Sequence, residues 1–320
     1  MWNEGVFLFR PAMHAEDFKP VLRKPLHVLR PFSIPERISC ETISIVVPVK
    51  NNQQGIDRFL ASILSNVDPR EHPREIIVVD NNSDEMTSIR VECPFPVQVL
   101  ACTKRGPGAA RNVGASRATG EWILFTDSDC IAGPSLVSGY VKERVEAIGY
   151  AGRVVTKVVD QCSLFYLEQN TFLPVPLATD FGVVPGTLVT ANCLVLKDAL
   201  LAIGGFNESF VYAGGEDTEL GYRLRMIGNL QFSLSSTAAH EITDGLQGFV
   251  ERFIRYGRGS RLLEVHYDNP GMFLPPKPVP PNNPTPANRF LAQVHHHSMW
   301  WGYMAEKSPE LLALPQATGT

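Results

Sequence analysis

The chain has 320 residues, of which 44% are hydrophobic and 19% charged, so it can build one large domain or two small ones. A net charge of −4 argues against bulk nucleic-acid binding, which depends on a strongly basic surface. The 6 cysteines form no CxxC pair, which argues against a zinc knuckle or a disulfide scaffold and favours a reducing cytoplasm.

The first half of the chain alternates between strand and helix patterns after an irregular start. Residues 1–41 are punctuated by proline and are expected to form an extension that wraps the core. Apolar and β-branched runs predict strands at 43–47, 75–80, 97–100 and 121–125, and helices are predicted at 56–64 and 108–118. This alternation predicts an α/β, Rossmann-like fold with a mostly parallel central sheet and helices on both faces.

The second half is less regular. Strands are predicted at 154–159 and 188–196, and helices at 216–226 and 249–265. Residues 171–186 contain several prolines and are expected to form a loop. Residues 268–288 are dense in proline and asparagine and predict a linker, after which 289–313 predict a last helical segment.

The triplet Asp127-Ser128-Asp129 is the most informative local pattern. It directly follows the buried run at 122–125, and a carboxylate at the end of a buried strand is costly without a partner. A divalent cation would supply that partner, because Mg²⁺ and Mn²⁺ prefer oxygen ligands. The alternative is a solvated turn, since Asp and Ser are common in turns. Asp80 lies at the end of another predicted strand, and in parallel sheets ligands bind at that edge.

Several motifs, in this order along the chain, resemble those of family 2 glycosyltransferases of the GT-A fold, over about residues 42–265. They are the first strand and its loop at 45–51, the second strand at 77–83, a glycine-rich segment at 105–112, the DxD triplet at 127–129, an acidic acceptor-side motif at 214–220, and an Arg-Tyr-Gly-Arg-Gly segment at 255–259. His240 stands where many members place a further metal ligand. Asn52, Asn81 and Asn82 depart from the family pattern, which bears on the identity of the nucleotide base.

The resemblance implies a metal-dependent, inverting transfer of a hexose from a nucleoside diphosphate sugar, with UDP favoured, to an acceptor nucleophile. Mn²⁺ or Mg²⁺ would stabilise the charge that develops on the leaving diphosphate. Asp129 is implied as the direct metal ligand, with Asp127 and His240 as further candidates. The residues implied in binding the donor are Pro48, Lys50, Asn51, Asp80, Arg105, Gly106, Asp127 and Ser128.

Asp217 is implied as the general base that takes the acceptor's proton, and Glu216 would support it or bind an acceptor hydroxyl. The alternative is that these acids only complement the dipole at a helix N-terminus. The alternative for His240 is a core histidine. The arginines at 252, 255, 258 and 261 predict a solvated helix face. The alternative is that Arg255 and Arg258 contact the diphosphate.

We expect an N-terminal extension at 1–41, a GT-A domain at 42–266, and a Pro-rich linker with a helical segment at 267–320. Within the domain, 42–130 would bind the nucleotide and 131–266 the acceptor. Two other functions stay open: a nucleotidyltransferase that activates a sugar phosphate, and a non-catalytic module that binds a nucleotide sugar. The first would require a Gly-rich, basic phosphate loop, which the first strand lacks, and the second a lost metal or base position.

The partners follow from the same reading. We expect a nucleotide sugar donor and an unknown acceptor. The acceptor could be a saccharide, a natural product, a peptide or a lipid-linked sugar. No nucleic-acid partner is expected. We see no leader peptide and no bilayer-spanning run, so we expect a cytoplasmic protein. Trp300 and Trp301 leave four interpretations open: a peripheral contact with the inner face of the membrane, a homodimer contact, an acceptor platform, and packing against the domain.

Overall fold

The computed structural model describes residues 13–14, 21–143, 146–169, 171–172, 174, 176–179, 182–268, 272–275 and 283–307. Of the predicted 1–41 extension, residues 13–14 and 21–41 are therefore described. Parts of the predicted loop at 171–186, of the linker at 268–288 and of the last helical segment lie outside the described residues.

Strands and helices alternate through the first half and mix less regularly in the second. The strands are β1 (Met13–His14), β2 (Ile43–Val49), β3 (Glu75–Asp80), β4 (Val97–Ala101), β5 (Trp122–Thr126), β6 (Cys130–Ala132), β7 (Gly149–Lys157), β8 (Pro176–Thr179), β9 (Gly182–Pro185), β10 (Asn192–Leu196) and β11 (Leu230–Glu241). The α-helices are α1 (Gln53–Asn66), α2 (Pro107–Arg117), α3 (Ser138–Val141), α4 (Gln161–Glu168), α5 (Lys197–Ala202), α6 (Glu216–Arg225), α7 (Gly245–His266) and α8 (Pro286–Lys307). Short 3₁₀ turns lie at Cys40–Thr42 and Pro69–Glu71.

The central sheet has 8 strands in the order β4-β3-β2-β5-β10-β7-β11-β6. The β2–β3, β3–β4, β2–β5 and β7–β11 pairs are parallel, whereas β10 runs antiparallel between β5 and β7, and β6 runs antiparallel to β11. The α/β class and the mostly parallel sheet are therefore confirmed. The strands of the core are apolar on both faces, as buried parallel strands require: every residue of β3 and of β5 is buried.

The topology brings one set of strand ends to a common edge. β2, β3 and β5 run in the same direction, so Val49, Asp80 and Thr126 end together. β7 and β11 run the same way because β10 reverses direction once between them and β5. The end of β11, which carries His240, thus lies at the same edge as the DxD triplet that follows β5.

Two predictions for the second half need correction. β11 was not predicted, because its sequence, Leu-Gln-Phe-Ser-Leu-Ser-Ser-Thr-Ala-Ala-His-Glu, is rich in small polar residues and interrupts its alternation with a register shift between Ser233 and Thr237. The predicted loop at 171–186 contains the β8–β9 hairpin, which pairs with β1 in a separate sheet of 3 strands. Pro176 and Pro185 face each other at the open end of that hairpin.

The last helix packs against the domain. α8 contacts α7 and α4, where Phe253 and Phe165 meet the ring of His295. Two glycines allow the close approach: a methyl group on Gly257 would collide with the carbonyl of Met299, and one on Gly302 with the carbonyl of Ile254. Within the described residues, no helix is long and apolar enough to cross a membrane.

Replacing Gly302 by Ala should lower stability, because the added methyl group has no space at the α7–α8 contact. Overpacking of this kind costs about 1–3 kcal/mol, so we expect a lower midpoint in urea with a similar slope. The control is Gln293→Ala on the exposed side of the same helix, which should leave the midpoint nearly unchanged. Equal midpoints for both variants would contradict this packing.

Candidate active site

A cavity of about 610 Å³ opens at the edge where the parallel strands end. This size lies within the range usual for small-molecule sites. Its wall includes the ends of β2 and β3, the loop before α2, the DxD triplet, the N-terminus of α6 and one side of α7. Residues 171–172, 174 and 187–191 close it from the other side.

Asp129 and His240 face each other at the bottom of this cavity. The backbone N–H of Glu241 donates to the carbonyl of Asp129 at 2.9 Å, and His240 pairs with Cys130 in the β11–β6 register. This pairing places His240 Nε2 3.4 Å from Asp129 Oδ1. The imidazole is 3% exposed and stacks on Phe172 with 4.6 Å between ring centroids.

The chemistry of this pair fits a divalent cation. Asp129, Cys130 and His240 offer ligand atoms within 4.8 Å of one another, and no other such group of three occurs among the described residues. Burial and the nearby acids raise the pKa of the Cys130 thiol well above its usual range, and its Sγ lies 3.7 Å from the carbonyl of Ala191. The carboxylate and the imidazole are therefore the donors suited to Mn²⁺ or Mg²⁺, with the carboxylate the better match for both.

A buried arginine connects the two acidic motifs. Arg111, 3% exposed, donates to Asp127 Oδ1 at 2.7 Å and to Glu216 Oε1 at 2.9 Å. The N–H of Gly214 donates to the other oxygen of Glu216 at 2.7 Å. Asp127 does not belong to the group of possible metal ligands that includes Asp129. Both carboxylate oxygens of Glu216 already accept hydrogen bonds. A supporting role thus suits Glu216 better than proton transfer.

The carboxylate of Asp217 lines the cavity and accepts fewer hydrogen bonds than that of Glu216. Its Oδ1 accepts the backbone N–H of Thr218 at 2.7 Å, and its Oδ2 accepts no hydrogen bond from the described residues. Burial first, and then the charge of Glu216, raise the pKa of Asp217 to about 7. A carboxylate with that pKa is suited to accept a proton near neutral pH.

The residues predicted to bind the donor fall into two groups. Pro48, Lys50, Arg105, Gly106 and Ser128 line the cavity, as does Asp127. Asn51 and Asp80 do not line the cavity.

Asn51 and Asp80 hold turns at the cavity edge. Asn51 exchanges hydrogen bonds with Asp84, at 3.1 and 2.8 Å. Asp80 accepts from the N–H of Ser83 at 2.9 Å and from the N–H and hydroxyl of Thr87 at 2.9 and 2.6 Å. A direct contact of either residue with a nucleotide stays a prediction, and it would compete with these bonds.

Asn81 was not among the predicted site residues, although it lines the cavity. Its amide donates to the carbonyls of Cys102 and Lys104 at 3.1 and 2.7 Å, and its oxygen accepts from Gly106 N at 2.9 Å. This side chain therefore fixes the loop that carries Arg105 and Gly106 into the wall. The signal that could have revealed it is its position at the end of a strand, one residue after Asp80.

The arginine row on α7 is not a uniform solvated face. Arg252 pairs with Asp244 at 2.7 Å, and Arg261 with Glu264. Arg255 lines the cavity, and the guanidinium of Arg258 lies 4.7 Å from the ring centroid of Tyr212. Arg111, Tyr212 and Arg252 were also absent from the predicted site, because their side chains meet the cavity only through tertiary packing.

Comparison with known proteins relates the first part of this arrangement to a family. Residues 44–172, which include the DxD triplet, match the model of glycosyl transferase family 2. That segment of the chain is therefore similar to glycosyl transferase family 2. The α/β class with a mostly parallel sheet agrees with the fold that the sequence motifs implied, and His240, Asp217 and α7 lie beyond the matched segment.

Relatives with curated names are distant. The chain is 25% identical over 281 residues to the pre-mycofactocin glycosyltransferase of Mycobacterium tuberculosis, covering 82% of this chain and 56% of that protein. It is 25% identical over 224 residues to the validoxylamine A glucosyltransferase of Streptomyces hygroscopicus, covering 58% and 48%. The chain therefore spans about half the length of these relatives. Among solved structures, a mannosyltransferase from Pyrobaculum calidifontis with GDP-Man and Mn²⁺ has a TM-score of 0.49 at 15% identity, covering 91% and 80%.

Replacing Asn81 by Asp should release the loop at 102–106. The carboxylate would keep an acceptor for Gly106 N but would face two carbonyl oxygens that now receive N–H groups. Because Asn81 is 7% exposed, we expect a loss of about 1–3 kcal/mol in the free energy of unfolding. Hydrogen exchange at the Gly106 amide should also become faster.

The matched control is Asn82→Asp at the next position. Asn82 is exposed and donates one side-chain hydrogen bond, to Thr103 O at 3.0 Å, so its loss should be within about 0.5 kcal/mol. Equal effects of the two substitutions would argue against a special role for Asn81.

Proposed function

We propose that this protein is a metal-dependent, inverting glycosyltransferase that moves a hexose from a nucleoside diphosphate sugar to an acceptor nucleophile. The observation that supports this most directly is that one cavity is lined by the Asp129–His240 pair, the base candidate Asp217 and two basic residues from separate loops, Lys50 and Arg105. Families of this kind act on sugar nucleotides, and the named relatives are glycosyltransferases.

The two ends of the cavity suit the two halves of the reaction. Asp129 and His240 would hold a divalent cation, which neutralises charge on the leaving diphosphate. Lys50, Arg105 and the backbone at Gly106 would bind the nucleotide half of the donor. Asp127, held by Arg111 and beside Ser128, would face the ribose.

Proton transfer would fall to the start of α6. Asp217 would accept the acceptor's proton while the nucleophile attacks, and a base positioned opposite the leaving group gives inversion. Glu216 and Arg111 would fix the start of α6 so that Asp217 points into the cavity.

The domain division stays a proposal: 42–130 for the nucleotide, 131–266 for the acceptor and 267–320 as an accessory segment. The wall of the cavity supports the division, since Pro48 and Arg105 come from the first part and Asp217 and Arg255 from the second. Dimerisation and peripheral membrane contact through α8 also stay proposals, for which Trp301, 53% exposed, and Met304, 50% exposed, are the residues to test.

Nucleotide binding should depend on the metal and on Asp129. We expect one of UDP, GDP, CDP and dTDP, with UDP favoured, to raise the melting temperature in the presence of Mn²⁺ more than in its absence. Saturation at 100 times the Kd adds about 2.7 kcal/mol to the free energy of unfolding. Asp129→Asn should remove the Mn²⁺-dependent part of this shift, since a neutral amide is a weaker ligand.

The control for that experiment is Asp198→Asn, which removes an exposed carboxylate paired with Arg30 far along the sequence from the site. It should retain the full shift. The proposal fails if no nucleotide produces a Mn²⁺-dependent shift, or if Asp129→Asn behaves like the control.

The pH dependence should report on Asp217. Because its pKa is raised to about 7 and the base must be ionised, kcat/KM should rise as the pH increases through 7 and then level off. Asp217→Asn should lower kcat by about 10²–10⁴-fold and abolish this limb of the profile. A wild-type profile that is flat between pH 5 and pH 8.5 would exclude Asp217 as the base.

Ionisation of the Asp217 carboxyl group, which catalysis would require, should lower the stability of the folded protein. A carboxyl group with a raised pKa in the folded state destabilises the fold once the pH exceeds its unfolded pKa of about 3.9. Asp217→Asn should therefore be more stable than the wild type at pH 8, and the difference should shrink as the pH falls from 7 toward 4. Urea unfolding at several pH values measures this, and a constant difference would show that the titration of Asp217 is not coupled to folding.

A further inference from the structure

Two arginines of the cavity region have no carboxylate partner in the part of the chain that the structure describes. Arg252, Arg255 and Arg258 follow one another at intervals of three residues on α7, and Arg252 is paired with Asp244. Arg255 and Arg258 are half-buried and form no ion pair with the described residues. The Nε of Arg258 is also buried without a hydrogen-bond partner among them. A guanidinium in this setting is costly unless an anion is nearby.

The backbone of α7 at Arg255 lies against the start of α6, close in sequence to the proposed base. α7 crosses directly over the start of α6: a methyl group on Gly214 would lie 3.1 Å from the carbonyl oxygen of Arg255, and one on Gly215 3.1 Å from the Cα of Gly259. Asp217 follows two residues later. A helix rises 1.5 Å per residue, so Arg258 is displaced by about 9 Å from Arg252 along the axis, away from the Asp129 end.

The donor has cations of its own. A divalent cation would match the two charges of a diphosphate ester, and Arg111 offsets one of the two negative charges of Asp127 and Glu216. Lys50 and Arg105 remain for the nucleotide side. The ring of Tyr212, 4.7 Å from Arg258 and 5.5 Å from Arg105, supplies a cation–π contact but no counter-charge.

We propose that the acceptor carries an acidic group, a carboxylate or a phosphate, close to its nucleophile, and that Arg255 binds this group while Arg258, held against Tyr212, adds to the positive potential. Guanidinium suits both anions because it can donate two parallel hydrogen bonds. The inference rests on the proposed function, because it assigns the acceptor side of the same site.

The test separates donor binding from anion binding. The full chain is first saturated with Mn²⁺ and the nucleoside diphosphate that gives the largest thermal shift. Inorganic phosphate is then titrated, and its binding is followed by the broadening of its ³¹P resonance by the bound Mn²⁺, with free Mn²⁺ held constant. A parallel titration with acetate, followed by ¹³C broadening of its carboxylate, distinguishes a phosphate site from one that also accepts carboxylates. The variants are Arg255→Gln and the control Arg289→Gln, which alters an exposed residue of α8.

We expect phosphate to bind the wild type and Arg289→Gln alike and to bind Arg255→Gln about 10-fold or more weakly, with the nucleotide affinity unchanged. Absence of phosphate binding, or equal binding to Arg255→Gln, would overturn the acidic acceptor site and leave the proposed function intact. A weaker nucleotide affinity in Arg255→Gln would assign Arg255 to the donor and also overturn it. Failure of every nucleotide to bind would contradict the proposed function itself.

Discussion

The buried guanidinium of Arg111 is the contact on which the arrangement of the cavity depends. It reaches from α2 to Asp127 at the end of β5 and to Glu216 at the start of α6, at 2.7 and 2.9 Å. Removing one partner of such a pair leaves an uncompensated buried charge, which typically costs about 3–5 kcal/mol. The position of Asp217, one residue after Glu216, is thereby tied to the position of the DxD triplet.

The sheet supplies the second constraint. β10 reverses direction once, so β11 ends at the same edge as β2, β3 and β5, and its pairing with β6 sets His240 opposite Asp129. Glu241, next to His240, is itself held by ion pairs with Arg58 and Lys157 at 3.0 and 2.5 Å. The Asp129–His240 part of the cavity is thus built on strands and the Asp217 part on helices, and Arg111 joins them.

Polar side chains at the strand ends serve mainly to shape loops. Asn51, Asp80 and Asn81 each bind backbone or side-chain groups of a neighbouring turn, and Asn81 alone of the three also lines the cavity. A carboxylate at position 81 could not donate to the carbonyls of Cys102 and Lys104. The departure of this chain from the family pattern at that position therefore has a local structural reason, independent of any nucleotide.

The sequence by itself determined the α/β class, the strand that precedes the DxD triplet and the helix that begins at Glu216, because hydrophobic period and acidic residues at element ends are local signals. It did not reveal β11, whose Ser- and Thr-rich sequence and register shift hide its alternation. Nor could it show that Arg111 joins two acidic motifs, that Asp80 is engaged by Thr87, or that the α7 arginines have four different surroundings. Only the tertiary structure decided these points, since each depends on which distant segment packs against the residue.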